Sequence, residues 1–243
     1  MRETSVLTRF EQKAIAFAPK APAILSLVSS FCVIHFFVTH PEKRAKIYHR
    51  MAFAMSLYGI ILSAVFITGT SAFPTNTLNS YGAMGSTGTC TLQGVGAQLS
   101  CAGIPLYYSS LSIYSYLSIK AQFKEDKIAW IEPWIHGAIN TYTVGTSIIL
   151  IITKNLNPSG PVCWIETFPE RCGRDTTIPC QRGNPSQVGL FSWLCSGIPV
   201  YGAMFFSTYI MIAIYRSQVR KEDIQNLQRR KQLFETADRK SVV

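Results

Sequence analysis

Apolar positions fall in five long runs along the chain: Ala21–Thr39, Met51–Thr70, Thr91–Ile119, Trp134–Thr153 and Val188–Tyr215. Each holds about 18 or more residues with almost no charge, near the roughly 20 a helix needs to cross the hydrocarbon core of a bilayer. None alternates with the period of two that a strand of a spanning barrel requires. The pattern predicts an all-α membrane protein, an up-and-down bundle of five transmembrane helices over 21–215. An extracellular segment, 1–20, precedes the bundle and a basic cytosolic helical tail, 216–243, follows it. The third and fifth runs exceed what a bilayer needs, so tilt or extension into water is expected.

The third run is unusually polar for a membrane helix. On a helical projection Gly94, Gln98, Cys101, Pro105, Tyr108, Ser112 and Ser115 form one stripe, while Val95, Leu99, Ala102, Leu106, Ile113 and Leu117 form another. Unpaired polar groups are costly in lipid, so the first stripe should face protein or water and the second lipid. Small and hydroxyl residues in this number place the helix at the centre of the bundle, where backbones approach closely. In the fourth run His136, Asn140, Thr143 and Ser147 share a face that should turn inward, with Trp130 and Trp134 suited to an interfacial aromatic belt. The segment from Val6 to Phe17 carries Leu7, Phe10, Ala14 and Phe17 at helical spacing and fits a membrane-surface helix.

Composition agrees with a membrane protein: 48% of the 243 residues are apolar and only 15% charged. The net charge of +10 would suit a nucleic-acid binder, but the basic residues follow the loops instead. Fifteen of them, including Lys43, Arg44, Lys46, Arg50, Lys120, Lys124, Lys127 and the eight from Arg216 to Lys240, fall on one side; eight fall on the other. The richer side is cytosolic by the positive-inside rule, which puts the N-terminus outside. Nucleic acid is therefore not an expected partner, and membrane lipid is. The first run is too long for a signal peptide and lacks a small-residue cleavage site before Pro41, so it is read as a retained span in a multi-pass protein.

Cysteine usage gives an independent check on that orientation. Cys90, Cys163, Cys172 and Cys180 lie in or beside the two loops assigned outside, and none of the seven cysteines lies in a cytosolic loop. Disulfides persist in oxidising compartments, so charge and sulfur agree. Four cysteines allow three pairings. Cys32, Cys101 and Cys195 lie within spans and read as small buried hydrophobes.

One heptapeptide occurs twice, CAGIPLY at Cys101–Tyr107 and CSGIPVY at Cys195–Tyr201. At 1.5 Å per residue Pro105 lies about 21 Å and Pro199 about 17 Å from the outer ends of their runs, near mid-membrane. Each proline denies a hydrogen bond to the carbonyl four residues back, that of Cys101 or Cys195. Such a carbonyl needs another donor, and the glycine two residues before each proline lets a neighbour come close. The motif reads as a kink met twice, and two kinks at similar depth would shape a shared cavity. Gln98, Cys101, Pro105, Tyr108 and Pro199 are the ligand-cavity candidates.

No catalytic constellation accompanies these residues. The chain has no HExxH, GxSxG or phosphate loop and no Asp, Glu, Lys or Arg inside a run, so an enzyme is not expected. His35, His40 and His49 match no metal-site spacing, and no cofactor is implied.

The layout resembles G-protein-coupled receptors. The resemblance rests on the outside N-terminus, a cysteine opening the third run (GTCTLQG, Cys90) and the Cys163-Trp164 pair of an outer loop. A tryptophan opening the fourth run (EPWIHG, Trp134) and a long last helix entering a basic segment add to it. The end of the third run, LSIYSYLSI, lacks Asp-Arg-Tyr and is more similar to the secretin and cyclic-AMP receptor group. The resemblance implies a Cys90–Cys163 bridge, a cavity open to an extracellular ligand, a heterotrimeric G protein on the cytosolic side and a plasma-membrane location. Such receptors have seven helices and this sequence has five runs, so it is expected to be the N-terminal five-helix portion, a truncated form. The alternative reading is an oligomerising small-solute transporter or channel subunit, motivated by the kinked, polar third run.

Overall fold

The computed structural model describes residues 7–75, 77–120, 129–169, 172–173 and 178–241. Lys124 and Lys127, among the cytosolic charges counted above, lie outside the described residues, as do Arg2, Arg171 and Arg174. The chain opens with α1 (Arg9–Phe17), whose start is a capping box: the Thr8 hydroxyl takes the Glu11 N–H and the Glu11 carboxylate takes the Thr8 N–H. Only Ala18 and Pro19 separate it from α2 (Lys20–Thr39). One turn, α3 (Pro41–Arg44), leads to α4 (Ile47–Thr68), which packs back along α2 and ends in a 3₁₀ turn, Gly69–Ala72. Then come α5 (Thr87–Lys120), a short 3₁₀ turn at Ala129–Ile131, and α6 (Glu132–Ile152). A hairpin of β1 (Leu156–Ser159) and β2 (Val162–Ile165) follows, turning at Gly160 with φ +62°. Last come α7 (Pro185–Ser192), a π-helical turn at Trp193–Gly197 and α8 (Ile198–Ser241).

Four of these stretches are long and apolar enough to cross a membrane: Arg9–Thr39, Ile47–Ala72, Ala129–Ile152 and Pro185–Arg229. The chain is mostly helical, and four candidate spans give it the layout of a multi-pass membrane protein. The expectation of five transmembrane spans is corrected here to four candidate spans, because α5 is not among them. Its 34 residues exceed the length requirement, but Gln93, Gln98 and a series of serines take it below the hydropathy of a lipid-facing helix. The all-α expectation is also corrected by the hairpin, which pairs Leu156 with Ile165 and Ser159 with Val162.

Why α5 carries so many polar groups follows from its place. It packs against α4, α6, α8 and the hairpin. Of Val95, Leu99, Ala102, Leu106, Ile113 and Leu117, the stripe expected to face lipid, none is exposed and Ala102 is fully buried. The projection put the free face on the wrong side: neighbours cover that stripe, and the exposed side chains along the helix include Leu92 and Tyr108. Its glycines admit them: a Cβ on Gly103 would lie 2.8 Å from the Tyr58 ring of α4, and one on Gly94 would lie 3.0 Å from Leu156 of β1. Lipid tails are as apolar as leucine, so close backbone approach and hydrogen bonds, not water exclusion, hold such helices together. The residues of the π turn and α8 that meet α5 are small and buried: Ser196, Ala203 and Ser207. Ser109 of α5 donates to the Ala203 carbonyl at 3.1 Å and meets the Ser207 hydroxyl at 3.0 Å.

One end of the molecule is stapled by sulfur. Cys90 at the head of α5 is bonded to Cys163 in β2, with Phe73 packed beside them, and Cys172 is bonded to Cys180. The opposite end, where α4 and α6 begin, is joined by charge, as described below.

Candidate functional site

Two glutamines on α5, five residues apart, organise the sulfur-stapled half. Gln93 is buried and uses both ends of its amide. Its nitrogen donates to the carbonyls of Val65 (3.0 Å) and Gly69 (2.7 Å) and to the Thr68 hydroxyl (3.1 Å), while its oxygen accepts the Cys163 N–H at 2.9 Å. The end of α4 and the hairpin are therefore fixed to α5 through one side chain as well as through the disulfide.

Gln98, a cavity candidate by sequence, is 0% exposed. Its nitrogen donates to the Cys195 carbonyl at 2.9 Å and to the Thr146 hydroxyl of α6 at 3.2 Å. Its oxygen accepts from the Trp164 indole at 3.2 Å and the Ser196 hydroxyl at 3.1 Å. Four partners from three neighbouring elements saturate the amide. Proline at 199 has no N–H for the Cys195 carbonyl four residues back, nor for the Leu194 carbonyl five back, the partner it would serve in a π turn. Both carbonyls take side-chain donors: Gln98 reaches Cys195, and the Tyr142 hydroxyl of α6 reaches Leu194 at 2.7 Å. The two copies of the heptapeptide thus differ. Through Pro105 the backbone of α5 stays α-helical, whereas before Pro199 it opens into the π turn, with Gly197 clearing the Trp193 ring.

The structure brings Gln98 and the turn before Pro199 together and leaves the other candidates apart. Cys101 and Pro105 are half-buried on α5, and Tyr108 is 53% exposed on its outer surface. Where two kinks were expected to leave a cavity, the side chains of Gln98, Thr146 and Trp164 bond to one another and to the turn. Leu150, Leu156, Ile165 and Cys195 pack beside them.

A second polar chain crosses from α4 to α6 through α5. Arg50 grips Glu132 with two of its three guanidinium nitrogens, Nε to Oε1 at 2.6 Å and Nη2 to Oε2 at 2.5 Å. One turn further on, His136 Nε2 lies 3.7 Å from the same carboxylate and Nδ1 is 2.8 Å from the Tyr107 hydroxyl. Tyr107 packs on Tyr58, whose hydroxyl donates to Asn140 Oδ1 at 2.8 Å and lies 3.3 Å from the Thr143 hydroxyl. Of the inward face expected on the fourth run, Thr143 and Ser147 are buried and His136 half-buried, while Asn140 sits at its exposed edge. Sequence reading missed the Arg50–Glu132 pair, counting Arg50 only as a loop charge. The signal available was two opposite charges, each near the start of a helix on the same side.

Beside this ion pair, Ile47, Met51, Ile113, Tyr114, Leu117 and Ile135 line a small apolar crevice that Glu132 borders. On the stapled side Arg182 donates to Asn157 Oδ1 at 3.0 Å and to the Thr91 hydroxyl at 3.3 Å, and partial burial lowers its pKa from the ordinary arginine value. Among the described residues no three His, Cys, Asp or Glu side chains converge as metal ligands. His40 stacks on Phe36 at 4.5 Å instead. No protein-family model, no curated protein and no solved structure matches the chain.

Proposed function

We propose that this chain is a receptor-like transmembrane signalling protein of the plasma membrane, its N-terminus outside, which takes a ligand from the outer side and acts on a cytosolic partner through α8. On this reading α5 is a fifth span, tolerated by the bilayer because its neighbours enclose it, and the bundle resembles the first five helices of a seven-helix receptor. One observation carries the proposal: the Cys163-Trp164 pair sits on a hairpin bonded to the head of α5 at Cys90 and hydrogen-bonded to Gln98 further down the same helix. An outer element thereby touches the interior of the bundle. The continuous course of α8 from Ile198 to Ser241, with its basic second half, supports the cytosolic side of the reading.

The transporter alternative has weaker support. The polar side chains that motivated it, Gln93, Gln98 and Ser109, are spent on partners within the chain and line no described passage.

The test is guanine-nucleotide exchange on heterotrimeric G proteins of each major class, with the full chain in lipid nanodiscs. Faster exchange than with empty nanodiscs, diminished by Cys90→Ser, is the expected result. Exchange at the empty-nanodisc rate for every class would overturn the coupling.

A further inference from the structure

The π turn before Pro199 is held by two side chains from outside its own helix. Gln98 is the donor for the Cys195 carbonyl, and Gln98 is itself oriented by the Trp164 indole at 3.2 Å. Trp164 belongs to β2, whose neighbouring residue Cys163 is bonded to Cys90. An amide offers two donors and one oxygen, so its oxygen must point at Trp164 and Ser196 for its nitrogen to reach Cys195 and Thr146. Rotating the amide sets its nitrogen against the Trp164 N–H and its oxygen against the Cys195 carbonyl, while the Ser196 and Thr146 hydroxyls can adapt to either end. The backbone at the turn has a second arrangement available, since the carbonyls of a π turn can change partners: Leu194 to the Ile198 N–H four residues on, and Cys195, denied Pro199, to the N–H three or five residues on.

We propose that Trp164 and Gln98 form a latch through which the outer hairpin sets the bend of α8 at the π turn, and so the position of the far half of that helix. The hairpin is a small, separately tethered element; beside the apolar packing of Leu156 and Ile165 with Cys195, the polar link from hairpin to turn runs through one indole and one amide. Displacement of Trp164 by a ligand or by hairpin movement leaves the amide oxygen with the Ser196 hydroxyl alone, which can turn to accept instead, so the amide can rotate and withdraw the donor from Cys195. Pro199 has no N–H to give, so the Cys195 carbonyl must then take the backbone N–H of Ile198 or Val200, and α8 changes direction. From Gly197 to Gln225 the helix is about 42 Å long, so each 5° of bend moves residue 225 by about 4 Å. The coupling stands apart from the signalling proposal, since it concerns two ends of one chain and no partner.

Spin-label distances in lipid nanodiscs test it. The full chain carries Cys32→Ser, Cys101→Ala and Cys195→Ala, which keep the backbone carbonyl at 195. Labels sit at Lys46→Cys with Gln225→Cys, below the turn, or at Lys46→Cys with Leu190→Cys, above it. Trp164→Phe deletes the indole N–H while keeping an aromatic ring, and Gln98→Leu deletes the amide. The expected result is a shift or broadening of the 46–225 distance by about 4 Å or more with the 46–190 distance fixed. An unchanged 46–225 distance in Trp164→Phe overturns the latch, and so does an equal change in both distances, which would mean general loosening. Should Gln98→Leu fail to fold, Trp164→Phe decides alone.

Discussion

The side-chain nitrogen of Gln98 lies 2.9 Å from the carbonyl oxygen of Cys195, ninety-seven residues away, and donates to it where Pro199 has no proton to give. If that is the main task of the amide nitrogen, the two residues must be energetically coupled. Gln98→Leu should destabilise the chain by about 1–3 kcal/mol for each buried partner left unsatisfied. Pro199→Ala supplies a backbone N–H at the site of need, so Gln98→Leu should cost less in that background. Thermal unfolding in detergent of the two single variants and the double variant checks this. The non-additivity expected is about 0.5–3 kcal/mol, the range for residues sharing one network.

The two disulfides should differ in weight. Cys90–Cys163 spans 73 residues and Cys172–Cys180 only 8. Loop-closure entropy alone assigns them about 4 and about 2.5 kcal/mol. A membrane already confines the unfolded chain, so both values are ceilings, but their order holds. Cys163→Ser should therefore lower the melting temperature more than Cys180→Ser, and it should also loosen the hairpin from Gln93. Hydrogen exchange at the Cys163 N–H region, faster in Cys163→Ser, reports the second effect.

How far this could be read from residues depends on whether the cause is local. A proline at 199 announces an unsatisfied carbonyl at Cys195 in any helix, and that need was legible; the identity of the donor was not, because it lies on a helix distant in sequence. The opening into a π turn was hidden for the same reason, since Tyr142 and Gln98 make it tolerable and the twin motif at Pro105 stays α-helical. Polarity placed α5 inside the bundle correctly. Its second stripe was misread because a helical projection shows which residues share a face but not which face the neighbours cover. The hairpin gave no signal: Leu156–Ser159 contains a proline and no alternation, and its pairing is fixed by Gln93, Leu156 beneath Gly94, and the disulfide.

Glycines on α5 and α6 should respond oppositely to the same change. A methyl group on Gly103 meets the Tyr58 ring at 2.8 Å and would displace the hydroxyl that donates to Asn140. Nothing lies within 4 Å of a Cβ on Gly137. Gly103→Ala should cost about 1–3 kcal/mol through overpacking, while Gly137→Ala should be neutral or stabilise by up to about 1 kcal/mol, the helix-propensity difference. Melting curves of the two variants side by side give the comparison.

Arg50 and Glu132 make a bidentate pair across the start of two helices, and charge reversal isolates it. Arg50→Glu places two carboxylates together and Glu132→Arg two guanidinium groups, so each single variant should unfold at lower temperature than the parent. Combining them restores opposite charges, though not the fork geometry, and should recover part of the loss. Recovery would also require His136 to tolerate a cation in place of the carboxylate now 3.7 Å from its Nε2. A double variant as unstable as the sum of the two singles would mean that the ion pair carries no coupling.

Whether α5 crosses the membrane decides the topology, and accessibility from the two sides of a cell can settle it. The stapled end holds the 73–86 loop and the hairpin, and the charge-paired end holds the α3 turn. On the proposed orientation, with the stapled end outside, Leu78→Cys and Gly160→Cys should react with a membrane-impermeant maleimide on intact cells, while Lys46→Cys should react only after permeabilisation. Gln225→Cys on α8 discriminates further, since five crossings put it with Lys46, opposite an N-terminal tag. The bilayer can accept so polar a helix only if its amides and hydroxyls are bonded before lipid meets them. Gln98→Leu raises the hydropathy of α5 and removes that need at one position; it should leave this labelling pattern intact even as it weakens the fold, because crossing depends on enclosure and stability on the partners within it.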